Sequence, residues 1–377
     1  MKKNKVRYIA VTEEKIYWIW LSTISGIGAR RFLKLLEMFD SPQMIYNASD
    51  KELIQLSRVL GEKCAQQILS SRNELALKRA ESILLIPGIN IITLQCSEYP
   101  TLLKTIYDPP PVLYIKGQPL RIDGPTIAVV GSRRSSEYGR VAAERISAQL
   151  AQLGVTVVSG LARGIDTMAH KGVLSTDSGY TIAVLGCGVD HVYPPENIGL
   201  YKAISERGTI ISEYPPGTLP AAGNFPARNR IISGLSHGTL VIEAGLKSGA
   251  LITVDCALEQ GREVYALPGN ISSQFSTGTN KLLKEGAKLI TSVEDILEDL
   301  NITNCFGAAK PTNRAIVLDF FETEVYNALE DGEKGVEELI QKTGIDIGRL
   351  NAVLTIMEIK GIIKQIPGKI FMKQWNS

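Results

Sequence analysis

Arginine and glycine residues concentrate in four short segments in the middle of the chain, at residues 131–134, 159–166, 223–230 and 243–253. The first segment follows the apolar run Ile127–Val130, which is typical of a buried strand, and places Arg133 just beyond its end. Guanidinium groups, and the backbone N–H groups that glycine leaves accessible, are the groups with which proteins bind phosphate. These segments therefore predict a site for an anion, with Arg133 as one of its cations.

An aromatic residue accompanies the arginines of the third segment, where Phe225 precedes Arg228 and Arg230. Arginines beside a ring that stacks on a base are typical of sites for single-stranded nucleic acid. The alternative for Phe225 is an ordinary place in the core, and the sequence favours neither role. For the arginines the alternative is solvated or paired charge, which is less favoured because they gather at one edge of a predicted sheet.

Several enzyme classes lack their signature residues in this chain. There is no GxGxxG motif after the first strand of the predicted sheet and no Walker-type phosphate loop, and the three histidines are dispersed. We therefore predict no catalytic residue, no metal and no cofactor. Glu243, at the end of a predicted strand, is either a general base or a carboxylate that orients Arg228 or Arg230, and the second role is favoured.

The composition is that of an ordinary globular protein, with 377 residues, 44% of them hydrophobic and 21% charged, and a net charge of +2. A site for a polyanion must therefore be a local cluster of cations. The five cysteines show no CxxC spacing, which argues against zinc and disulfides and for a reduced compartment. No apolar run is long enough to span a bilayer and no signal segment follows the basic amino terminus, so we expect a cytoplasmic protein without a membrane partner.

Strands and helices alternate between residues 127 and 300, which predicts an α/β fold with a mostly parallel sheet covered on both faces. The predicted strands cover residues 127–130, 155–158, 181–185, 209–212, 239–242, 263–267 and 288–290. The predicted helices cover residues 138–153, 165–175, 197–207, 225–235, 249–260 and 279–285. Ligands bind such sheets at the carboxyl edge, which is where the arginine-containing segments fall.

The two ends of the chain predict smaller domains. Residues 1–82 are helical, and their Ile24–Gly28 segment matches the turn of helix-hairpin-helix modules as well as it matches a plain connection between helices. Residues 83–300 form the sheet domain, since two short strands around a proline-rich connection precede residue 127. A linker at 301–313 leads to 314–377, where helices and then a two-strand wing predict a winged helix. Because this last unit is net acidic, contact with a protein is favoured over duplex DNA.

Motifs across nearly the whole chain resemble the DNA-processing protein A family (DprA, also called Smf). They are DPP at 108–110, VVGSR at 129–133, SGLARGID at 159–166, YP at 193–194, SEYPPG at 212–217, FPARNRI at 225–231 and SGALIT at 248–253. The resemblance implies an extended Rossmann-like sheet domain between a SAM-like helical domain and a winged helix. It also implies a protein that binds single-stranded DNA, protects it and loads the recombinase RecA on it during natural transformation, without catalysis.

Carried onto this sequence, the resemblance and the loop segments predict one DNA-binding set. Its members are Ser132, Arg133, Ser159, Gly160, Arg163, Gly223, Asn224, Phe225, Arg228, Asn229, Arg230, Lys247, Ser248 and Gly249. The resemblance further implies a homodimer through the sheet domain, and the amphipathic segment 279–290 is the candidate interface because it ends the predicted sheet. The alternative function is that of a nucleotide phosphoribohydrolase on a related sheet, suggested by the segment Gly238–Glu243.

Overall fold

The computed structural model describes residues 14–55, 57–302, 318–359 and 362–373. Contacts between residues divide the chain into two units, Met1–Cys305 and Phe306–Ser377. Apart from its first two residues, the predicted linker at 301–313 lies outside the described residues. None of the described helices is both long enough and apolar enough to cross a membrane.

Short helices form the amino-terminal part of the first unit. Helix α1 occupies residues 14–23 and precedes α2 (Ala29–Met38), α3 (Pro42–Asn47), α4 (Asp50–Gln55), α5 (Ser57–Leu60), α6 (Glu62–Ser71) and α7 (Glu74–Leu84). The chain turns between α1 and α2 at Gly26, whose φ of 81° lies in the left-handed region that favours glycine. Trp18 of α1 stacks on Phe32 of α2 with ring centroids 5.2 Å apart, and their core continues into Tyr114 of the sheet.

One large sheet organises the rest of the first unit. Its described strands are β1 (Ile89–Thr93), β2 (Val112–Gly117), β3 (Thr126–Val130), β4 (Thr156–Ser159), β5 (Thr181–Leu185), β6 (Thr209–Ser212), β7 (Gly238–Val241), β8 (Glu263–Ala266) and β9 (Lys288–Leu289). Their order across the sheet is β1-β2-β6-β5-β4-β3-β7-β8-β9. Strand β2 pairs antiparallel with β1 and β6, and the remaining pairs are parallel, which confirms the predicted α/β fold with a mostly parallel sheet.

Helices cover both faces of this sheet. They are α8 (Thr101–Lys104), α9 (Glu137–Gln152), α10 (Ile165–Leu174), α11 (Ile198–Arg207), α12 (Asn224–Gly234), α13 (Ala250–Glu259), α14 (Thr277–Lys284) and α15 (Val293–Asp299). Successive side chains of a strand point to opposite faces, so Ile127 packs in one core with residues of α9 and α10, whereas Ala128 packs in another with residues of α12 and α13. Strand β3 is buried along its whole length, as its apolar sequence predicts.

The predicted and observed elements of the sheet domain agree to within two residues at each end. The agreement is close because the strands are short apolar runs buried on both faces and the helices carry apolar residues at helical spacing. The two short strands predicted before residue 127 are β1 and β2. Strand β9 ends the sheet, as predicted for the segment 279–290, and Leu289 in it is 54% exposed.

The second unit has the order of a winged helix, as predicted. It contains α16 (Phe320–Ala328), β10 (Lys334–Gly335), α17 (Val336–Thr343), α18 (Ile347–Ile359), β11 (Ile363–Ile366) and β12 (Ile370–Lys373). The described strands pair in the order β10-β12-β11, so a third strand joins the two that were predicted for the wing. Strand β10 gives no signal in the sequence, because a strand of two residues shows no periodicity.

Candidate nucleic-acid interface

An open cleft of about 650 Å³ lies at the carboxyl edge of the sheet. The edge is formed where the parallel strands β4, β3 and β7 end and their loops begin. The residues that line it are Val130, Gly131, Ser132, Arg133, Arg134, Ala162, Asp166, Tyr193, Pro220, Ala222, Phe225, Pro226, Arg228, Asn229, Ile232, Ser248, Gly249, Ala250, Ile252 and Thr253. The sheet thus brings residues that are more than a hundred positions apart in sequence into one site.

Two helices point their amino-terminal turns at this cleft. Pro226 and Asn229 belong to the first turns of α12, and Ala250 and Thr253 belong to the first turns of α13. The helix dipole places partial positive charge at these turns, although the N–H groups of Asn224, Ala250 and Leu251 already donate to the preceding loops. Ser248 and Gly249 line the cleft just before α13 begins, so this wall of the cleft is suited to an anion.

Arg133 is the exposed cation of the cleft mouth that the sequence analysis predicted. Its guanidinium carbon lies 5.5 Å from the centre of the Phe225 ring, and that ring stacks on Tyr193 with centroids 5.2 Å apart. Among the described residues, neither Arg133 nor its exposed neighbour Arg134 has a carboxylate within salt-bridge distance. Both arginines are therefore available to a ligand.

Phe225 fills both of the roles that the sequence left open. It is half-buried and packs so closely on Gly186 that a Cβ at that glycine would lie 2.9 Å from the ring. It also lines the open cleft under Arg133. The ring is therefore fixed by its contacts with Gly186 and Tyr193, and its cleft side lies under the exposed Arg133 side chain.

Arg228 also reaches the cleft, but it is buried (4% exposed) and serves as a clamp between strands. Its Nη1 donates hydrogen bonds to the carbonyl of Gly160, at 2.7 Å, and to the carbonyl of Val184. These carbonyls lie at the ends of β4 and β5, so the guanidinium joins two neighbouring strands. Burial lowers the pKa of Arg228 to about 10, against the opposing effect of the nearby Asp166 carboxylate, so the group stays charged at neutral pH.

Arg230 is committed to two carboxylates and does not line the cleft. Its Nε lies 3.2 Å from Asp108 and its Nη2 lies 2.6 Å from Glu213, with all three side chains largely buried. Burial raises the pKa of the Glu213 carboxyl, and Arg230 opposes that rise. The three residues fasten α12 to the chain that precedes β2 and to the end of β6, which makes Arg230 a support of the site.

The remaining predicted cations lie outside the lining of the cleft. Arg163 is exposed and forms an ion pair with Glu196, which raises the pKa of the guanidinium through their hydrogen bond. Lys247 is exposed on the loop before α13. Of the four arginines and one lysine that were predicted, the cleft therefore contains Arg133 and Arg228.

The small and polar residues of the predicted set also fall into two groups, those that line the cleft and those that lie outside its lining. Ser132, Asn229, Ser248 and Gly249 line the cleft, whereas Gly223 and Asn224 lie at the start of α12. Ser159 is buried and donates a hydrogen bond to the Val129 carbonyl at 2.7 Å. Gly160 lies against Arg228, and a Cβ there would come within 2.5 Å of the guanidinium. Only glycine leaves room for the clamp at this position.

Glu243 does not orient Arg228 or Arg230, and that prediction is wrong. Its Oε2 accepts a hydrogen bond from the Ser136 backbone N–H at 2.8 Å, and its Oε1 accepts one from the Ser136 hydroxyl at 2.5 Å. The carboxylate is 2% exposed and fixes the start of α9. A side chain held in this way is poorly placed to act as the general base of a phosphoribohydrolase.

Tyr193, Asp166 and Arg134 line the cleft but do not belong to the predicted DNA-binding set. Asp166 lies in the first turn of α10, and its Oδ2 accepts a hydrogen bond from the Gly160 N–H at 3.1 Å. Tyr193 stood in a recognisable motif, yet nothing in the sequence places the loop after β5 beside Phe225. That proximity follows from the strand order, in which β5 neighbours β4.

Three protein-family models match successive parts of the chain. The family model described as DNA recombination-mediator protein A matches residues 90–301. The DprA winged helix domain matches residues 310–369, and the SAM-like helix-hairpin-helix tandem matches residues 21–74. Protein Smf of Synechocystis is 33% identical over 401 residues, which cover 96% of this chain and 99% of that protein. The DNA processing protein DprA of Bacillus subtilis is 45% identical over 56% of this chain and 72% of its own length.

Two solved structures are also similar to this chain. The DNA processing protein A of Streptococcus pneumoniae superposes with a TM-score of 0.65 and 34% identity, over 76% of this chain and 97% of that one. The DNA processing protein A of Helicobacter pylori, whose structure is described as giving insight into its single-stranded DNA binding mode, superposes with a TM-score of 0.51 and 31% identity. It covers 57% of this chain and 97% of its own. By its sequence and by its fold, the chain belongs to the DNA-processing protein A family, whose members are also named Smf.

Proposed function

We propose that the cleft at the carboxyl edge of the sheet binds single-stranded DNA. The observation that carries the proposal is the exposed Arg133 lying 5.5 Å over the Phe225 ring at the mouth of the cleft. A guanidinium beside a ring offers phosphate binding and base stacking together, which is the combination that single strands need. The relatives named DprA support the proposal, because the H. pylori structure is described by its single-stranded DNA binding mode.

The strand lies with its phosphates at the rim and its bases toward the aromatic wall. Arg133 and Arg134 and the amino-terminal turns of α12 and α13 bind phosphates. Phe225, with Tyr193 behind it, offers a flat surface to a base. Arg228 and Arg230 hold the walls, and the exposed Lys247 extends the positive surface outside the cleft. The protein acts by binding, and no chemical step is required.

The test is the affinity of the full chain for a labelled single strand, measured by fluorescence anisotropy. Arg133→Ala should weaken binding several-fold for every sequence and reduce the salt dependence by about one phosphate contact. Arg79→Ala, on the exposed face of α7, is the matched control because it removes the same charge from a residue that does not line the cleft. Equal losses for the two variants would show that net charge and not the cleft governs binding.

We further propose that the bound strand is protected and then transferred to a RecA-type recombinase during DNA uptake, which places the activity in the cytoplasm. Support comes from the family model that matches the sheet domain, which is described as a recombination mediator. The assay is strand exchange by RecA on a single strand that is already coated with a single-strand binding protein. The wild-type chain should relieve the inhibition by the coat, and Arg133→Ala should do so poorly.

The same proposal includes a homodimer formed through the segment 279–290. Strand β9 is the last strand at this end of the sheet among the described residues, and Leu289 in it is 54% exposed. A dimer would offer two clefts to one strand and raise its avidity. Light scattering on the full chain tests this: Leu289→Lys should yield monomers, whereas Leu75→Lys, at a comparably exposed leucine of α7, should not.

A further inference from the structure

An exposed tyrosine lies outside the cleft, on the segment that joins α8 to β2. Tyr107 is 75% exposed. The guanidinium carbon of Arg30, at the start of α2, lies 4.4 Å from the centre of its ring, and Arg30 is itself exposed. Because Tyr107 stays this exposed although Arg30 covers one face of the ring, the opposite face is open to solvent.

The backbone on both sides of Tyr107 is fixed on helix α12. The residue before it, Ile106, is buried and packs against Gly234, where a Cβ would lie 3.1 Å from the isoleucine side chain. The residue after it, Asp108, forms the ion pair with Arg230, whose Nε lies 3.2 Å away. The ring is therefore presented from a held segment, and a ligand that stacks on it orders little additional chain.

Helix α12 leads from this segment to the cleft. Asn229, which lines the cleft, directly precedes Arg230 in this helix. At about 1.5 Å of rise per residue, the turn from Arg230 to Gly234 lies within about 8 Å of Asn229 along the helix axis. A single strand that leaves the cleft beside Asn229 therefore reaches Tyr107 within a few nucleotides.

The side chains near Tyr107 in sequence and on α2 are basic. Lys104 is exposed three residues before the tyrosine, and Lys34 is exposed four residues after Arg30, on the same side of α2. Among the described residues, none of these three cations has a carboxylate within salt-bridge distance. The carboxylate next to the ring, that of Asp108, is already paired with Arg230. The surface therefore attracts an anion.

We infer that Tyr107 and Arg30 form a second contact for single-stranded DNA, outside the cleft. A base stacks on the open face of the tyrosine ring, and the cations Arg30, Lys34 and Lys104 bind the flanking phosphates. The connection to the cleft through α12 favours the same strand over an acidic partner protein as the occupant. The inference rests on the proposed binding of single-stranded DNA at the cleft.

The test compares the full-length protein with Tyr107→Ala on labelled single strands of about 4 and about 20 nucleotides, by fluorescence anisotropy. The short strand occupies the cleft alone, whereas the long one also reaches Tyr107. We expect Tyr107→Ala to bind the long strand about tenfold more weakly, the effect of one lost base stack, and the short strand as the wild type does. Tyr107→Phe keeps the ring and should bind both strands normally. The matched control is Phe320→Ala, at an aromatic residue of the second unit that is 72% exposed, and it should leave both affinities unchanged.

The outcomes separate this inference from the proposed function. Undiminished affinity of Tyr107→Ala for the long strand would overturn the inference and leave the cleft as the binding site. Equal losses on the two strands would also overturn it, because the substitution would then act through the Asp108–Arg230 ion pair that supports the cleft. If the wild-type protein bound neither strand, the proposed function would fail as well. As a second measurement, Arg30→Ala should reduce the salt dependence by about one phosphate contact for the long strand only, and an unchanged salt dependence would contradict the inference.

Discussion

Two substitutions, Arg228→Met and Arg133→Ala, test whether Arg228 stabilises the fold while Arg133 binds the ligand. Arg228→Met removes the donor from two buried carbonyls, those of Gly160 and Val184, and removes the positive charge next to the buried Asp166. Leaving these two buried carbonyls without their donor costs about 2–6 kcal/mol, at about 1–3 kcal/mol each. We expect the free energy of unfolding of the first unit to fall by about that amount.

Arg133→Ala should behave in the opposite way. Its side chain is exposed and has no ion pair among the described residues, so its removal should change the free energy of unfolding by no more than about 0.5 kcal/mol. It should weaken binding of single strands nonetheless. The assays are urea denaturation followed by circular dichroism and anisotropy titration at a fixed salt concentration. The account is refuted if Arg228→Met is as stable as the wild type, or if Arg133→Ala unfolds the protein.

Three further predictions concern the support of the cleft. Gly160→Ala should destabilise the protein and weaken binding, because its Cβ would lie 2.5 Å from the Arg228 guanidinium. The control is Gly223→Ala, where the new Cβ has open space around it, and it should leave the free energy of unfolding unchanged in the same denaturation assay. His170 is fully buried, and burial lowers its pKa to about 3, with the charge of Arg228 adding to the shift. Below the ordinary pKa of about 6.5, His170 takes up a proton in the unfolded chain but not in the folded one, so the free energy of unfolding falls as the pH falls. Between pH 7 and pH 5 the wild type should lose about 2 kcal/mol more of its free energy of unfolding than His170→Asn does. Equal losses in the two proteins would refute this prediction. Phe225→Leu should keep the fold, since packing is largely retained. Its affinity for single strands, measured by anisotropy, should fall several-fold. An affinity equal to that of the wild type would exclude stacking of a base on this ring.

The sequence predicted the strands and helices of the sheet domain well, because the pattern that indicates each element lies within that element. Strand β3 is a continuous apolar run followed by glycine, and the helices that flank it carry apolar residues at regular spacing. Each of these patterns is complete within a few residues. The position of the cleft followed from the same information, because loops after parallel strands must gather at one edge.

The different partners of the arginines could not be predicted from the residues next to them in the sequence. Arg228 and Arg230 stand two residues apart on α12, yet one clamps strands β4 and β5 and the other binds Asp108 and Glu213. These partners come from distant parts of the chain, and which of them reaches each arginine depends on the strand order. The interpretation of Glu243 failed for the same reason, because its partner Ser136 is 107 positions away.

The central claim is that cations and backbone N–H groups at one edge of the sheet hold a single strand by its phosphates. The measurement that tests it most directly is a titration of the full-length protein with a labelled single strand and with the matching duplex, each at 50 mM and 200 mM salt. The account predicts tight binding of the single strand, a clear preference for it over the duplex, and an affinity that falls steeply with salt. Preference for the duplex, or binding that does not change with salt, would contradict it.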